Sequence, residues 1–163
     1  AFPIRWAGLW FSPNRGLFVF TPVLLFSFVG LFQWWKRRSE APLLAWFGGA
    51  LLAHSLFLAG WPIWWGGWSY GPRFFAGVTG FWILALWPVL RDMKFTSRRM
   101  LLFGIAALFS LGIHGVGMFS SAVHDWNAEP VDVDDAPERV WDARDWMPMR
   151  FFDKNFEETE GSP

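Results

Sequence analysis

The chain has 163 residues, 53% of them hydrophobic and 21% aromatic, richer in aromatics than soluble domains usually are. Its 14 acids and 14 bases cancel, but they are segregated: residues 1–118 hold ten bases and two acids, Glu40 and Asp92, whereas residues 119–163 hold twelve acids and four bases. A basic apolar body followed by an acidic polar tail excludes an ordinary soluble domain and points to a membrane portion with a water-facing extension. Cysteine is absent, which excludes disulfides and thiolate metal sites.

Residues 1–16 mix aromatics with Arg5, Arg15, Pro3 and Pro13 and are too broken to span, so they read as an interfacial segment. Ser12-Pro13-Asn14-Arg15-Gly16 reads as a turn. No signal-peptide pattern opens the chain, and it is expected to be the C-terminal part of a longer protein. Leu17 to Trp35 is apolar apart from Thr21, Ser27 and Gln33. As one helix it would cover roughly 28 Å, close to a bilayer core of about 30 Å. Trp34-Trp35 followed by Lys36-Arg37-Arg38 forms an aromatic belt with a basic stop.

A second span is expected over Pro42 to Gly60, with a small-residue ridge of Ala45, Gly49 and Ala53 suited to close helix approach. Residues 61–73, Trp-Pro-Ile-Trp-Trp-Gly-Gly-Trp-Ser-Tyr-Gly-Pro-Arg, then form a loop rich in interfacial aromatics and helix breakers. Phe74 to Leu90 and Met100 to Phe119 are the third and fourth expected spans. The fold class is therefore an all-α membrane protein with about four transmembrane helices. An acidic, largely irregular extracytoplasmic tail over residues 120–163 completes it, with residues 157–163 disordered.

Four spans divide the loops into two sets. One set, 36–41 and 91–99, carries seven bases; the other carries Arg5, Arg15 and Arg73 before the tail. The positive-inside rule then places the Trp-rich loop, the Ser-Pro-Asn-Arg-Gly turn and the tail together on the outer face.

Arg15 and Arg73 each sit in a Gly/Pro turn at the outer end of a span. Arginine suits phosphate recognition through its planar, permanently charged fork. Both are candidate ligands of a lipid-linked phosphate, with snorkelling or ion pairs to the tail as the alternative. Trp65, Trp68 and Tyr70 would form the rim. His54 and His114, in the outer half of their spans, would hydrogen-bond a polar substrate or, more simply, join helices. Two histidines are too few for a metal site. Asp132, Asp134 and Asp135 lack the glycine and terminal glutamate of a calcium loop and read as a solvated acidic strip. No cofactor is expected within this chain, a divalent metal elsewhere in the full protein stays open, and no nucleic-acid partner is expected.

The stretches Gly8-Leu-Trp-Phe-Ser-Pro-Asn-Arg-Gly-Leu-Phe-Val-Phe-Thr-Pro22 and Trp65-Gly-Gly-Trp-Ser-Tyr-Gly-Pro-Arg-Phe74 resemble the "LFSPxRGLFxYSPxLL" and "WxGGxSxGPRxL" segments of bacterial polytopic membrane proteins of the GT-C glycosyltransferase-like class. The tail segment Arg139-Val-Trp-Asp142, with Asp145 and Arg150-Phe151 after it, resembles their C-terminal ending. The resemblance implies an enzyme of the bacterial inner membrane using a polyprenyl-phosphate-linked sugar at the outer face. Its catalytic acid would lie upstream of Ala1, so no catalytic residue is expected here. The bilayer and the missing upstream helices would be the chain's other partners. A non-catalytic membrane scaffold is the principal alternative, and a transporter the weaker one.

Overall fold

The computed structural model describes residues 2–37, 41–92, 94 and 97–152. They are helical or irregular, with no strand among them. The expected disorder of residues 157–163 lies outside the described residues. Helices run in the order α1 (Phe2–Phe11), α2 (Leu17–Phe20), α3 (Phe26–Lys36), α4 (Ala41–Leu43), α5 (Gly49–Gly60), α6 (Thr79–Asp92), α7 (Arg98–Phe119) and α8 (Ala122–Asp125).

Two helical stretches, Arg73–Asp92 and Arg98–Phe119, are long and apolar enough to cross a membrane. The second is not the core helix of a soluble protein, since only 11% of its most apolar window is buried. Leu101, Leu108, Leu111, Met118 and Phe119 are all more than 60% exposed. An outward apolar surface of this extent needs lipid or protein against it.

The first two expected spans are not unbroken helices. Between α2 and α3, Thr21 leaves the helical region (φ −133°, ψ 63°), and Pro22 opens a 3-10 turn over Pro22–Leu25. The cause is local: the proline ring disfavours helical geometry in the residue before it. The second stretch joins α4 to α5 through a π-helical turn, Leu44–Gly48. The N-terminal segment also departs from expectation. Residues 2–11 form α1, which packs along α5, and Trp6 Nε1 donates to Ser55 Oγ across that interface at 3.1 Å.

Close helix approach occurs away from the expected ridge on α5. Gly49 meets nothing within 4 Å and Ala53 is exposed; the side chain of Ala45 lies outside the described residues. The close pair is instead α3 against α6, the most extensive helix contact. A Cβ at Gly30 would collide with the carbonyl oxygen of Ala85. One turn away, buried Ser27 donates to the Trp82 carbonyl at 3.0 Å. Small residues let backbones meet where lipid offers no hydrophobic incentive to associate.

Gly30→Ala is expected to destabilise by about 1–3 kcal/mol, because backbone rather than a flexible side chain blocks the added methyl. Gly49→Ala should be neutral or stabilise by up to about 1 kcal/mol through helix propensity. Unfolding in mild detergent on titration with SDS, followed by tryptophan fluorescence, reads both. Equal behaviour of the two variants would place the close contact elsewhere.

Candidate functional site

Every sequence-singled residue lies at or near the end of the helices that carries the Trp-rich loop. Residues 61–72 contain no helix, and Gly66, Gly67 and Gly71 all adopt positive φ (89°, 60° and 62°), which side chains disfavour. A loop bent this way cannot satisfy its carbonyls in a regular pattern. They need donors from elsewhere.

Arg15 supplies them. Its Nε donates to the Trp65 carbonyl at 2.9 Å and one terminal nitrogen to the Asn14 carbonyl at 2.8 Å and Met147 Sδ at 3.4 Å. The other terminal nitrogen donates to the Gly67 carbonyl at 3.3 Å and Asn127 Oδ1 at 2.7 Å. All five guanidinium hydrogens are thus engaged by protein. The side chain is 2% exposed, and its guanidinium lies over the Trp126 ring at 5.1 Å. Burial lowers Arg15 to about 10, opposed by attraction to Asp134 and reinforced by Arg139, so it stays cationic at neutral pH.

The donors expected to meet a phosphate are, for Arg15, engaged within the chain. Nor does Arg15 share a phosphate-sized cavity with Arg73, for the cleft touching both encloses about 10 Å³, room for one water. Arg73 itself is exposed, and it makes no side-chain hydrogen bond or ion pair among the described residues. Two arginines in similar Gly/Pro settings have opposite fates.

The neighbour of Arg15 holds the tail. Asn14, fully buried, donates through Nδ2 to the carbonyls of Arg139, Asp142 and Asp145 at 3.2, 3.0 and 3.3 Å. Its Oδ1 accepts the Met147 backbone N–H at 2.6 Å. Trp146 Nε1 donates to the Pro13 carbonyl and Trp126 Nε1 to the Asp145 carbonyl, both at 2.9 Å. Arg139 and Arg150 both pair with Asp145, at 3.0 and 2.8 Å. The segment after α7, built from α8, two 3-10 turns and irregular chain, therefore packs as a folded cap. Val123, Val133, Val140 and Met147 are its fully buried core.

The cap brings carboxylates onto the Trp-rich loop. Asp134 Oδ1 accepts Trp65 Nε1 at 2.8 Å; Asp132 Oδ1 accepts Trp68 Nε1 at 3.0 Å and the Asp134 backbone N–H at 2.8 Å. Sequence reasoning treated Asp132 and Asp134 as a solvated acidic strip and missed them as partners of these indoles. Trp68 stays 57% exposed. No group of three or more His, Cys, Asp or Glu among the described residues is placed to hold a metal ion.

Tyr70 and the histidines serve the helices. Tyr70 donates to the Ile113 carbonyl at 2.8 Å, and its ring fills the space a Cβ at Gly117 would occupy. Burial pushes its phenol upward, so it remains a donor at neutral pH. His54 Nε2 lies 3.0 Å from the Phe74 carbonyl, which can only accept, so that nitrogen carries the proton. His114 Nε2 is 2.9 Å from Thr21 Oγ1. Each histidine thus answers a place where a helix departs from α geometry: the 3-10 stretch Arg73–Val78 and the break at Thr21.

No family model matches the chain, nor does any curated protein or solved structure to a significant degree.

Arg15→Gln strips the charge and leaves at least two carbonyls of the Trp-rich loop unanswered, at about 1–3 kcal/mol for each buried group left unpaired. The variant is expected to release the cap, seen as much faster tryptic cleavage at Arg139 and Arg144. Wild-type cleavage rates in a destabilised variant would show that the cap docks without Arg15.

Proposed function

We propose that the chain is a membrane-embedded portion of a glycosyltransferase moving a sugar from a lipid-phosphate donor to an acceptor at the outer face of the bacterial inner membrane. In this reading four apolar passes cross the bilayer, two as the long helices and two as the interrupted stretches 17–36 and 41–60. Backbone outside α geometry is tolerable at membrane depth where protein side chains meet it, as Ser110 and His54 do here.

The observation that carries the proposal is the surface made by the Trp-rich loop and the cap: exposed Trp68, its indole N–H held by Asp132, and an exposed cation, Arg73, on the same loop. A fixed indole face suits the apolar face of a sugar ring, a carboxylate accepts from its hydroxyls, and arginine suits a phosphate. In the reaction an acceptor hydroxyl attacks the anomeric carbon, its proton passes to a carboxylate base, and the bond to the lipid phosphate breaks. Arg73 would steady the departing phosphate. Arg15, Tyr70 and the histidines would hold the surface in shape without touching substrate.

A non-catalytic scaffold is the second reading, favoured by how fully Arg15 and Asn14 are engaged in joining segments of the chain. Sugar transfer by the full-length protein separates the two. Arg73→Gln is expected to lower kcat on the order of 10²-fold. Trp68→Ala should mainly raise KM. Unchanged transfer in a well-folded Arg73→Gln protein would remove Arg73 from the reaction, and failure of the wild type to transfer any lipid-linked sugar would favour the scaffold.

Topology is separable from chemistry, because the chain has no native cysteine. A cysteine replacing exposed Asp135 is expected to react with an impermeant maleimide on intact spheroplasts, and one replacing Arg98 only after lysis. Ser69, although on the outer loop, is a poor reporter because it is buried. The reverse pattern would invert the membrane orientation.

A further inference from the structure

At the end of the helices opposite the Trp-rich loop, a second feature has the shape and charge of a lipid site. A groove of about 370 Å³ opens between the C-terminal halves of α3 and α6 and the start of the second apolar stretch. Its walls are Trp34, Leu43, Phe47, Leu84 and Trp87, and Arg91 stands at its rim. The walls are built rather than incidental: Trp34 is 5% exposed and its ring lies 5.9 Å from that of Phe47. Leu43, Leu84 and Trp87 remain 41–63% exposed, so the groove is open at its side.

The sequence flanking this groove is strongly basic. Lys36, Arg37, Arg38, Arg91, Lys94, Arg98 and Arg99 flank it in sequence, against Glu40 and Asp92. Asp92 is already met by Arg37 at 2.6 Å and by Arg91 at 3.3 Å. The C-termini of α3 and α6 bring roughly half a negative charge each, and the N-terminus of α7 returns about half a positive one. Two acids and these dipoles do not balance seven bases.

We infer that this groove is a binding site for an anionic phospholipid, with an acyl chain between Trp34, Leu84 and Trp87 and the phosphate at Arg91 and its basic neighbours. The charge complementarity selects the lipid class: a zwitterionic headgroup would bring a second cation into an already cationic rim, whereas an anionic one neutralises it. Basic pockets between helices at a membrane surface take anionic headgroups for this reason. The site lies at the opposite end from the surface in the proposed transfer reaction and stands or falls without it.

The test is lipid retention by the full-length protein, read by native mass spectrometry from mixed nanodiscs of phosphatidylglycerol and phosphatidylcholine. The wild type is expected to retain phosphatidylglycerol selectively. Arg91→Gln should weaken that retention about fivefold, the effect of one basic residue near an anionic lipid surface. Arg91→Lys should restore most of it. Leu84→Trp, which fills the groove and leaves the charge alone, should abolish retention while helicity in phosphatidylcholine alone stays at the wild-type level. Equal retention of the two lipids by the wild type overturns the proposal and needs no variant to fold. So does displacement of the lipid by glycerol 3-phosphate, which would mean that the basic rim binds a phosphate without using the groove.

Discussion

Two adjacent side chains, Asn14 and Arg15, hold the polar end of this protein together. Neither the Trp-rich loop nor the cap has enough regular structure to satisfy its own backbone. Buried peptide groups left unpaired cost about as much as a lost hydrogen bond each. Asn14 takes the cap, presenting a donor pair to three carbonyls and an acceptor to one N–H. Arg15 takes the loop, fanning donors to Trp65 and Gly67 and reaching Asn127 of the cap with the same group. A lysine could not replace it, since three donors on one point charge cannot span acceptors spread around a plane. Desolvation of the guanidinium opposes the arrangement, so its net contribution to stability is smaller than five bonds suggest. What it determines is the relative position of three chain segments.

The helical body follows the opposite rule. Its outward surface is apolar, and polar side chains inside it pair with backbone that the helices themselves leave open. Thr21 interrupts the first apolar stretch; on α7, Ser110 accepts the Val23 backbone N–H and His114 meets the Thr21 hydroxyl. At the 3-10 entry into α6, His54 donates from α5 to the Phe74 carbonyl. The histidines are therefore counterparts of the helix breaks. Their similar depth in the sequence matches two departures from α geometry near one end of the bundle.

Much of this organisation was legible in the chain. The apolar runs marked the helical stretches, the Gly/Pro content of residues 61–73 marked a non-helical loop, and the charge step after residue 118 marked the cap. The helix breaks were less visible because hydropathy is blind to them: Thr21 and Pro22 sit inside an unbroken apolar run, and only the steric effect of proline on its predecessor gives them away. The close contact was assigned to the wrong glycine because spacing identifies small residues and not the face that meets a partner. Gly49 and Gly30 differ only in what lies opposite. Arg15 and Arg73 pose the same problem more sharply. The one local clue was Asn14, a residue able to donate and accept at once, set between a proline and an arginine in a turn.

The tryptophans show how far composition alone can mislead about this end of the molecule. An aromatic belt is expected to turn its indole N–H groups toward lipid headgroups and water. Here four of them, on Trp65, Trp68, Trp126 and Trp146, instead donate to acceptors in the turn and the cap. Trp10 and Trp82, in the helical body, are buried with Nε1 unpartnered among the described residues. The difference is one of supply. The polar end brings carboxylates and irregular backbone carbonyls within reach of these indoles, so there a tryptophan both fills space and fixes orientation, as Trp6 does in the body only through the Ser55 hydroxyl. The loop is thereby tied to the cap, and the orientation of Trp68 is set by Asp132. A half-exposed indole bonded to a carboxylate is what the proposed recognition surface calls for and an aromatic belt does not need.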